Sequence, residues 1–388
     1  MDVKNNSIIS QNDIFFIREQ IKSRKFSIFI IIFFITLLIT FINTRKMNIS
    51  LNKVNIKSNS SQKNYRTLNE DNQQNLNSKK KILFIGSTGC DLIINYKKMP
   101  KIGETVFGNK FTQKPGGKGI SQAIAASRLG ANVSFMGAKG DDVCGESIIN
   151  LLKKNNIKHS LKVIPKTNTQ ISTIFVDDEG QNIITIIPGA NNFVDEQQID
   201  ENEKLINEYD IIVLQLEIPI ETVEYIIDIA YKKNKIIILN LSPAQFLSKD
   251  ILKKCNYIIM DKNELSLITG MPTEDNRQIE LASQKIFELG VQNLIVILGE
   301  NGTFLFNKDN SRFFKIIQDY LAKKTVGLKR ENDCYVGAFA NYLAKDYGLL
   351  GTIINTNFAY RFYASSFRDS FPTQEEIDDF ISRMSFYS

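Results

Sequence analysis

The chain has no tryptophan, one histidine and four cysteines in its 388 residues. The single histidine, His159, all but excludes a His-dependent catalytic triad or a multi-histidine metal site. Cys90, Cys144, Cys255 and Cys334 form no CxxC pair, which argues against a structural zinc site. Their scatter predicts buried, reduced thiols in a cytosol-like compartment. A charge excess is also missing: 48 Lys and Arg face 42 Asp and Glu, a net +6. So mild a balance implies no nucleic-acid partner. Catalysis, if there is any, must come from carboxylates, lysines, backbone amides and bound ions. The abundant residues, Asn, Lys, Ile, Tyr and Phe, read as AT-rich codon usage rather than as a functional signal.

One long apolar run is present, at residues 26–42. It sits at the lower limit for crossing a bilayer. Arg18, Lys22, Arg24 and Lys25 precede it, and Arg45, Lys46, Lys53 and Lys57 follow, so flanking charge gives no orientation. The run reads as a membrane anchor. It also reads as a recessed secretory signal before an organelle leader, because residues 43–81 are rich in Ser, Asn and Lys and poor in acid. A misplaced first exon and a buried core helix are the other readings; the second is the weakest, since a disordered-looking linker isolates the run. Residues 1–80 are thus expected to be anchor or leader plus linker, and residues 81–388 the folded domain. That domain would face the cytosol, with or without an anchor, or be delivered to an organelle.

From Lys81 the texture changes. Residues 82–86 form a short apolar run ending in glycine, the pattern of a buried strand. Similar runs recur at residues 132–136, 211–216, 235–240, 257–260 and 293–298, with helical patterns between them at 220–233 and 278–289. This alternation predicts an α/β domain, a mostly parallel sheet with helices on both faces. Residues 104–113 and 170–187 alternate instead with period two, the second turning at Asp177–Gly180, and predict a small second sheet acting as a lid. His159 sits in a Lys/Asn-rich stretch, residues 153–159, that reads as the end of a helix.

The run Pro115-Gly116-Gly117-Lys118-Gly119 lies just before a predicted helix at 121–129. Glycines allow close backbone approach, and a helix start offers free N–H groups to an anion or hydroxyl. Lys118 adds a donor. The alternative is a tight strand-to-helix turn. Asp91 follows the first strand, where open α/β sheets bind ligands, and its carboxylate could accept two bonds from a vicinal diol or simply cap a turn.

These motifs, with Gly140-Asp141-Asp142, Pro188-Gly189-Ala190-Asn191, Gln215-Leu216-Glu217, Asn263-Glu264, Gly299-Glu300-Asn301-Gly302 and Asn332-Asp333-Cys334-Tyr335, follow one another in the order found in the ribokinase-like carbohydrate kinases. Residues 81–380 resemble that family. The resemblance implies a ribokinase-like fold and transfer of the γ-phosphate of ATP to the primary hydroxyl of a pentose, D-ribose first among them, in ribose catabolism. It implies Asp333 as catalytic base and Asp91, Gly116, Gly117, Lys118 and Glu217 as sugar contacts. Asp261, Gly299, Gly302 and Asn332 would border the nucleotide, and Glu264 would arrange Mg²⁺ and its waters. K⁺ and a homodimer through the lid are implied as well. Departures from the pattern concentrate before the base. Between Thr325-Val326-Gly327 and Asp333 there are about three extra residues and no glycine, which predicts a weakened anion hole. Lys329 and Arg330 could replace the lost amides with point charges, or the segment could come from a misplaced exon junction. Lys324 and the loop at 365–370 depart at the K⁺ site, Gly89 and Ser121 stand where the family has Asn, and Asp261 replaces the Asn that pairs with Glu264. A sugar-binding protein that has lost transfer, or a kinase for another sugar or nucleoside, remains the alternative.

Overall fold

The structure, a computed structural model, describes residues 80–309, 311–314, 330–366 and 370–384. The apolar run at 26–42, the linker after it, Lys324, Leu328, Lys329 and residues 367–369 lie outside them. Strands are β1 (Ile82–Ile85), β2 (Gly89–Tyr96), β3 (Lys110–Gly116), β4 (Val133–Gly140), β5 (Lys158–Ile164), β6 (Gln170–Asp177), β7 (Asn182–Ile187), β8 (Ile211–Leu214), β9 (Ile236–Asn240), β10 (Tyr257–Asp261), β11 (Asn293–Ile297), β12 (Thr303–Asn307) and β13 (Ser311–Phe314). Helices are α1 (Lys118–Arg128), α2 (Val143–Lys154), α3 (Glu196–Glu201), α4 (Glu203–Glu208), α5 (Ile220–Lys232), α6 (Lys249–Leu252), α7 (Lys262–Thr269), α8 (Asn276–Phe287), α9 (Glu331–Ala344), α10 (Gly348–Ser365) and α11 (Gln374–Met384).

Among the described residues the large sheet has nine strands in the order β13-β12-β11-β10-β9-β8-β1-β4-β5. All neighbours pair in parallel except β11 with β12 and β12 with β13. The apolar run Ile82-Leu83-Phe84-Ile85 takes the interior, with Ile82 opposite both Val133 and Ile211. Its alternation splits the core into two layers. Leu83 and Ile85 pack with α3 to α8, while Ile82 and Phe84 pack with α1, α2, α9 and α10. Helix α5 shows the usual stripe, burying Val223, Ile226, Ile227 and Ala230. Helix α9 has no such stripe; it is buried almost all round, Asp333 through Tyr342 included, because it lies against α1 and α10.

The second sheet runs β3-β2-β6-β7. The hairpin β6–β7 was expected. Strand β2 has no counterpart among the expected strands, because Asp91 reads as lying just after the first one; residues 104–109 are not a strand, and β3 begins only at Lys110. His159 lies on β5 and not at a helix end, because α2 stops at Lys154. The small sheet is tied to the large one at its root. The Asn191 amide donates to the carbonyl of Thr88 and to Oε1 of Gln170, and accepts from the Thr88 N–H. Asp142 caps α2 by accepting from Gly145 N and also accepts from the backbone and hydroxyl of Thr169. Those bonds outweigh burial and hold its carboxyl below the usual range.

The cysteines correct the sequence reading in part. Cys255 and Cys334 are free and buried, but Cys90 at the start of β2 and Cys144 at the start of α2 are joined as a disulfide, with Cα atoms 5.9 Å apart. A separation of 54 residues gave no local sign of the pairing. Among the described residues no helix is long and apolar enough to cross a membrane.

Alkylation in denaturant without reductant should therefore label two of the four cysteines, and all four after reduction. Cys144→Ser should lower stability by about 2–4 kcal/mol through loss of the cross-link. Four reactive thiols before reduction would exclude the bridge.

Candidate active site

Strands β1, β8, β9 and β10 deliver the polar residues of the site from their C-terminal ends, the edge at which open sheets bind ligands. Helix α1 begins there. Gly117 precedes it at φ 101°, a conformation suited to glycine. A Cβ on Gly119 would lie 2.7 Å from the backbone nitrogen of Ser87, so the helix start rests on bare backbone. The first helical N–H groups are already used. Lys118 N donates to Oε2 of Glu217 (3.2 Å), Gly119 N to the Ser87 hydroxyl (3.3 Å) and Ile120 N to the Ser87 carbonyl (3.1 Å). The Ser87 hydroxyl itself donates to Glu217 Oε2 at 2.5 Å. The expectation that this helix end offers free amides to a ligand is thus corrected: the protein satisfies them through Glu217 and Ser87.

Asp333 lies in the first turn of α9, with its side chain buried. Its Oδ1 accepts from Nε2 of Gln122 (3.0 Å), which also donates to Asn240 Oδ1 (2.9 Å), while Gln215 Nε2 donates to Gln122 Oε1 (2.7 Å). Asp333 is not an N-cap, because α9 starts at Glu331 and the cap position is Arg330. Burial raises the Asp333 carboxyl above its ordinary value, against the opposing pull of Lys118 and Arg330. Burial alone would lower the Lys118 ammonium, yet it ends raised because Glu217, Asp333 and Glu264 surround it. Arg330 points into the same cleft. Its guanidinium pairs with Asp91 and donates to the Gly117 carbonyl and the Ser121 hydroxyl.

A second cluster adjoins the first. Asp261 caps α7, its Oδ1 accepting from Asn263 N and Glu264 N, while Glu264 Oε2 accepts from Asp261 N. Asn332 Nδ2 donates to Asp261 Oδ2 at 3.1 Å, joining this cap to the turn that carries Asp333. Glu264 is pushed up to about 7, by burial first and then by Asp261. The hairpin between β11 and β12 turns through Gly299 at φ 63° and Gly302 at φ 96°. Among the described residues, a Cβ on Gly299 would meet only the Tyr360 hydroxyl, 3.9 Å away. That phenol is raised by burial and then by Glu331, Cys334, Asp261 and Glu300, which places it where this turn, Asp261 and the start of α9 converge.

Residues 79–353 match the pfkB family of carbohydrate kinases. The chain belongs to that family. It is 30% identical to the deoxyribokinase of Salmonella typhi over 305 residues, 78% of this chain and 98% of the relative. It is 30% identical to the ribokinase of Bacillus subtilis over 304 residues, 78% of this chain and 99% of the relative. The structure of Arabidopsis thaliana ribokinase complexed with ribose and ATP overlays with a TM-score of 0.68 at 23% identity, covering 77% of this chain and 99% of that one. The mostly parallel sheet with a smaller second sheet is the ribokinase fold.

Of the kinase positions carried over from the sequence, the structure brings Asp91, Gly116, Gly117, Lys118, Glu217 and Asp333 into one cleft, and Asp261, Glu264 and Asn332 beside it. Gly299 and Gly302 form the neighbouring turn. Arg330, offered as one replacement for the lost amides, instead pairs with Asp91. At Gly89, where the family resemblance implies Asn, a Cβ would lie 3.2 Å from the Gln170 amide nitrogen and 3.3 Å from the Gln170 carbonyl oxygen, so a side chain there needs its neighbour to shift. Sequence reasoning assigned no role to Gln122, Gln215 or Ser87. Their only local signal was a polar residue inside or ending an apolar run. The K⁺ expectation rests on Lys324 and the loop at 365–370, of which Lys324 and residues 367–369 lie outside the described residues.

The Glu264 shift carries a pH consequence. Its carboxyl is raised from 4.5 to about 7 on folding, so the folded state keeps a proton that the unfolded chain has lost. The stability it contributes is present below pH 4.5 and is lost as pH rises through about 7. Glu264→Gln should therefore gain on wild type by up to about 3 kcal/mol between pH 5 and pH 8. Thermal melts at both pH values measure the gap; an unchanged gap would refute the shift.

Proposed function

We propose that this chain is an ATP-dependent pentose kinase that phosphorylates the primary hydroxyl of ribose or 2-deoxyribose. The observation that carries the reading is Asp333, a buried carboxylate of raised basicity in the first turn of α9, fixed by Gln122 and facing Lys118 in the cleft that holds Asp91 and Glu217. Asp333 would take the proton of the acceptor hydroxyl as its oxygen attacks the γ-phosphorus and the bond to ADP breaks. Lys118 would hold the acceptor or the charge that develops on the phosphoryl oxygens. The relatives named ribokinase and deoxyribokinase, and the Arabidopsis protein solved with ribose and ATP, support the substrate class.

Mg²⁺ fits the site as a phosphate-held ion. Among the described residues no group of three His, Cys, Asp or Glu could hold a metal, and both Asp261 oxygens are engaged within the protein. Glu264, buried beside Asp261 and itself accepting from the Asp261 N–H, would orient an ion that keeps several of its waters and binds phosphate oxygens. When bound, the ion supplies charge neutralisation at the phosphates.

Coupled detection of ADP with ribose, 2-deoxyribose and adenosine tests the reading. Turnover with a pentose should fall about 10²–10⁴-fold in Asp333→Asn, with KM little changed. Pentose-dependent thermal stabilisation without any turnover would instead identify a sugar-binding protein.

A second copy of the chain is the partner this reading implies. Strand β7, at the edge of the small sheet, leaves Ile183, Ile184, Ile186 and Ile187 exposed, an apolar edge that monomers rarely present. Sedimentation should give a dimer, and Ile184→Lys with Ile186→Lys should shift it to monomer. A monomeric wild type at micromolar concentration would rule the dimer out.

A further inference from the structure

We propose that Arg330 is a specificity-determining residue of the acceptor pocket: by holding one oxygen of Asp91 it selects a 2-deoxypentose over a pentose that carries the vicinal diol. The inference rests on the pentose-kinase reading above. The guanidinium enters the cleft from the N-terminal end of α9. Its Nη2 donates to Oδ2 of Asp91, and its Nη1 donates to the Gly117 carbonyl (3.1 Å) and the Ser121 hydroxyl. The pair is enclosed, with the Asp91 side chain 3% and the Arg330 side chain 16% exposed. Separating such a pair would leave a buried charge uncompensated, so a neutral sugar binds with the pair intact.

Two consequences follow for the acceptor. The first concerns bonding. Among the described residues Oδ1 of Asp91 accepts no hydrogen bond, while Oδ2 accepts from Arg330. A carboxylate offers about four acceptor sites and the guanidinium occupies one on Oδ2, so a vicinal diol spread over both oxygens competes with it, while a single hydroxyl on Oδ1 does not. The second concerns space. A Cβ on Gly116 would lie 1.9 Å from Nη2 of Arg330 and 2.6 Å from Oδ1 of Asp91. The guanidinium thus lies over the glycine whose bare backbone would otherwise admit the sugar edge. An acceptor without one of the two hydroxyls loses no bond there and needs less room. Ser121 completes the arrangement, since its short side chain leaves space for the guanidinium and accepts from it.

Initial rates of ADP release by the full-length chain, with D-ribose and with 2-deoxy-D-ribose, give kcat/KM for each. Wild type should favour 2-deoxyribose by about tenfold or more, the worth of one bond to a charged group. Arg330→Ala frees Oδ2 and should move the ratio toward ribose by about tenfold, while Arg330→Lys, which keeps a cation beside Asp91, should retain part of the preference. A merely structural role would lower both rates together and leave the ratio alone. A wild-type preference for ribose, or a ratio in Arg330→Ala within about twofold of wild type, overturns the proposal. Should Arg330→Ala fail to fold, the wild-type ratio decides. If neither sugar yields ADP, calorimetric Kd values supply the same ratio. Selective binding of 2-deoxyribose then supports Arg330's role while the kinase reading falls; equal binding, or binding of neither sugar, overturns it.

Discussion

The site depends on bare backbone meeting backbone at two glycines. Gly119 rests on Ser87, and Gly337 rests on α1, where an added Cβ would lie 2.4 Å from the Gln122 carbonyl oxygen and 2.7 Å from the Ala125 Cβ. The first contact fixes the start of α1 against the loop after β1, and with it Lys118 and Glu217. The second presses α9 against α1 one turn beyond Asp333, which brings that carboxylate within 3.0 Å of the Gln122 amide. A methyl group at either point would force two helices or a helix and a loop apart, and close-packed interiors yield little to such wedges. Relative placement of base and sugar cleft is therefore a packing outcome before it is an electrostatic one.

Charge then tunes what packing has placed. Two cations, Lys118 and Arg330, share the cleft with the carboxylates of Asp91, Glu217 and Asp333. Arg330 is committed to Asp91, and Lys118 is held among Glu217, Asp333 and Glu264. Asp333 feels both cations at a distance, and burial still keeps it more basic than an exposed aspartate. A carboxylate with that balance suits proton removal better than one locked in an ion pair of its own. The neighbouring Asp261–Glu264 cap solves a different problem: it ends β10 and starts α7 with satisfied amides, and in doing so buries a second acidic group beside the cleft.

The small sheet joins the large one through the same residues that frame the cleft. Strand β2 begins at Gly89 and reaches Asp91 within two residues, and β3 ends at Gly116. Asn191, Asp142 with Thr169, and the Cys90–Cys144 bridge pin that junction from three sides. Asp91 therefore sits on the small sheet, three residues into β2, at this tied junction. The exposed apolar edge lies at the far strand, β7, away from these ties.

The sequence by itself determined the layered α/β plan and most of the residues that line the cleft. Apolar runs with period two and stripes of period 3.6 are local signals, so β1, β8 to β11, α5 and α8 were legible to within a few residues. The motifs between these elements, read through the family resemblance, carried Asp91, Lys118, Glu217, Glu264 and Asp333. Strand β2 was hidden because glycine, cysteine and aspartate open it, none of them typical of strands. Tertiary structure alone decided the rest. Which amides of α1 are already satisfied, that Cys90 meets Cys144, and that Arg330 reaches back to Asp91 depend on residues 54 to 239 positions apart. No periodicity encodes such distances. A long side chain such as arginine takes whichever partner the packed helices leave within its reach, and that is settled only when α9 has docked on α1.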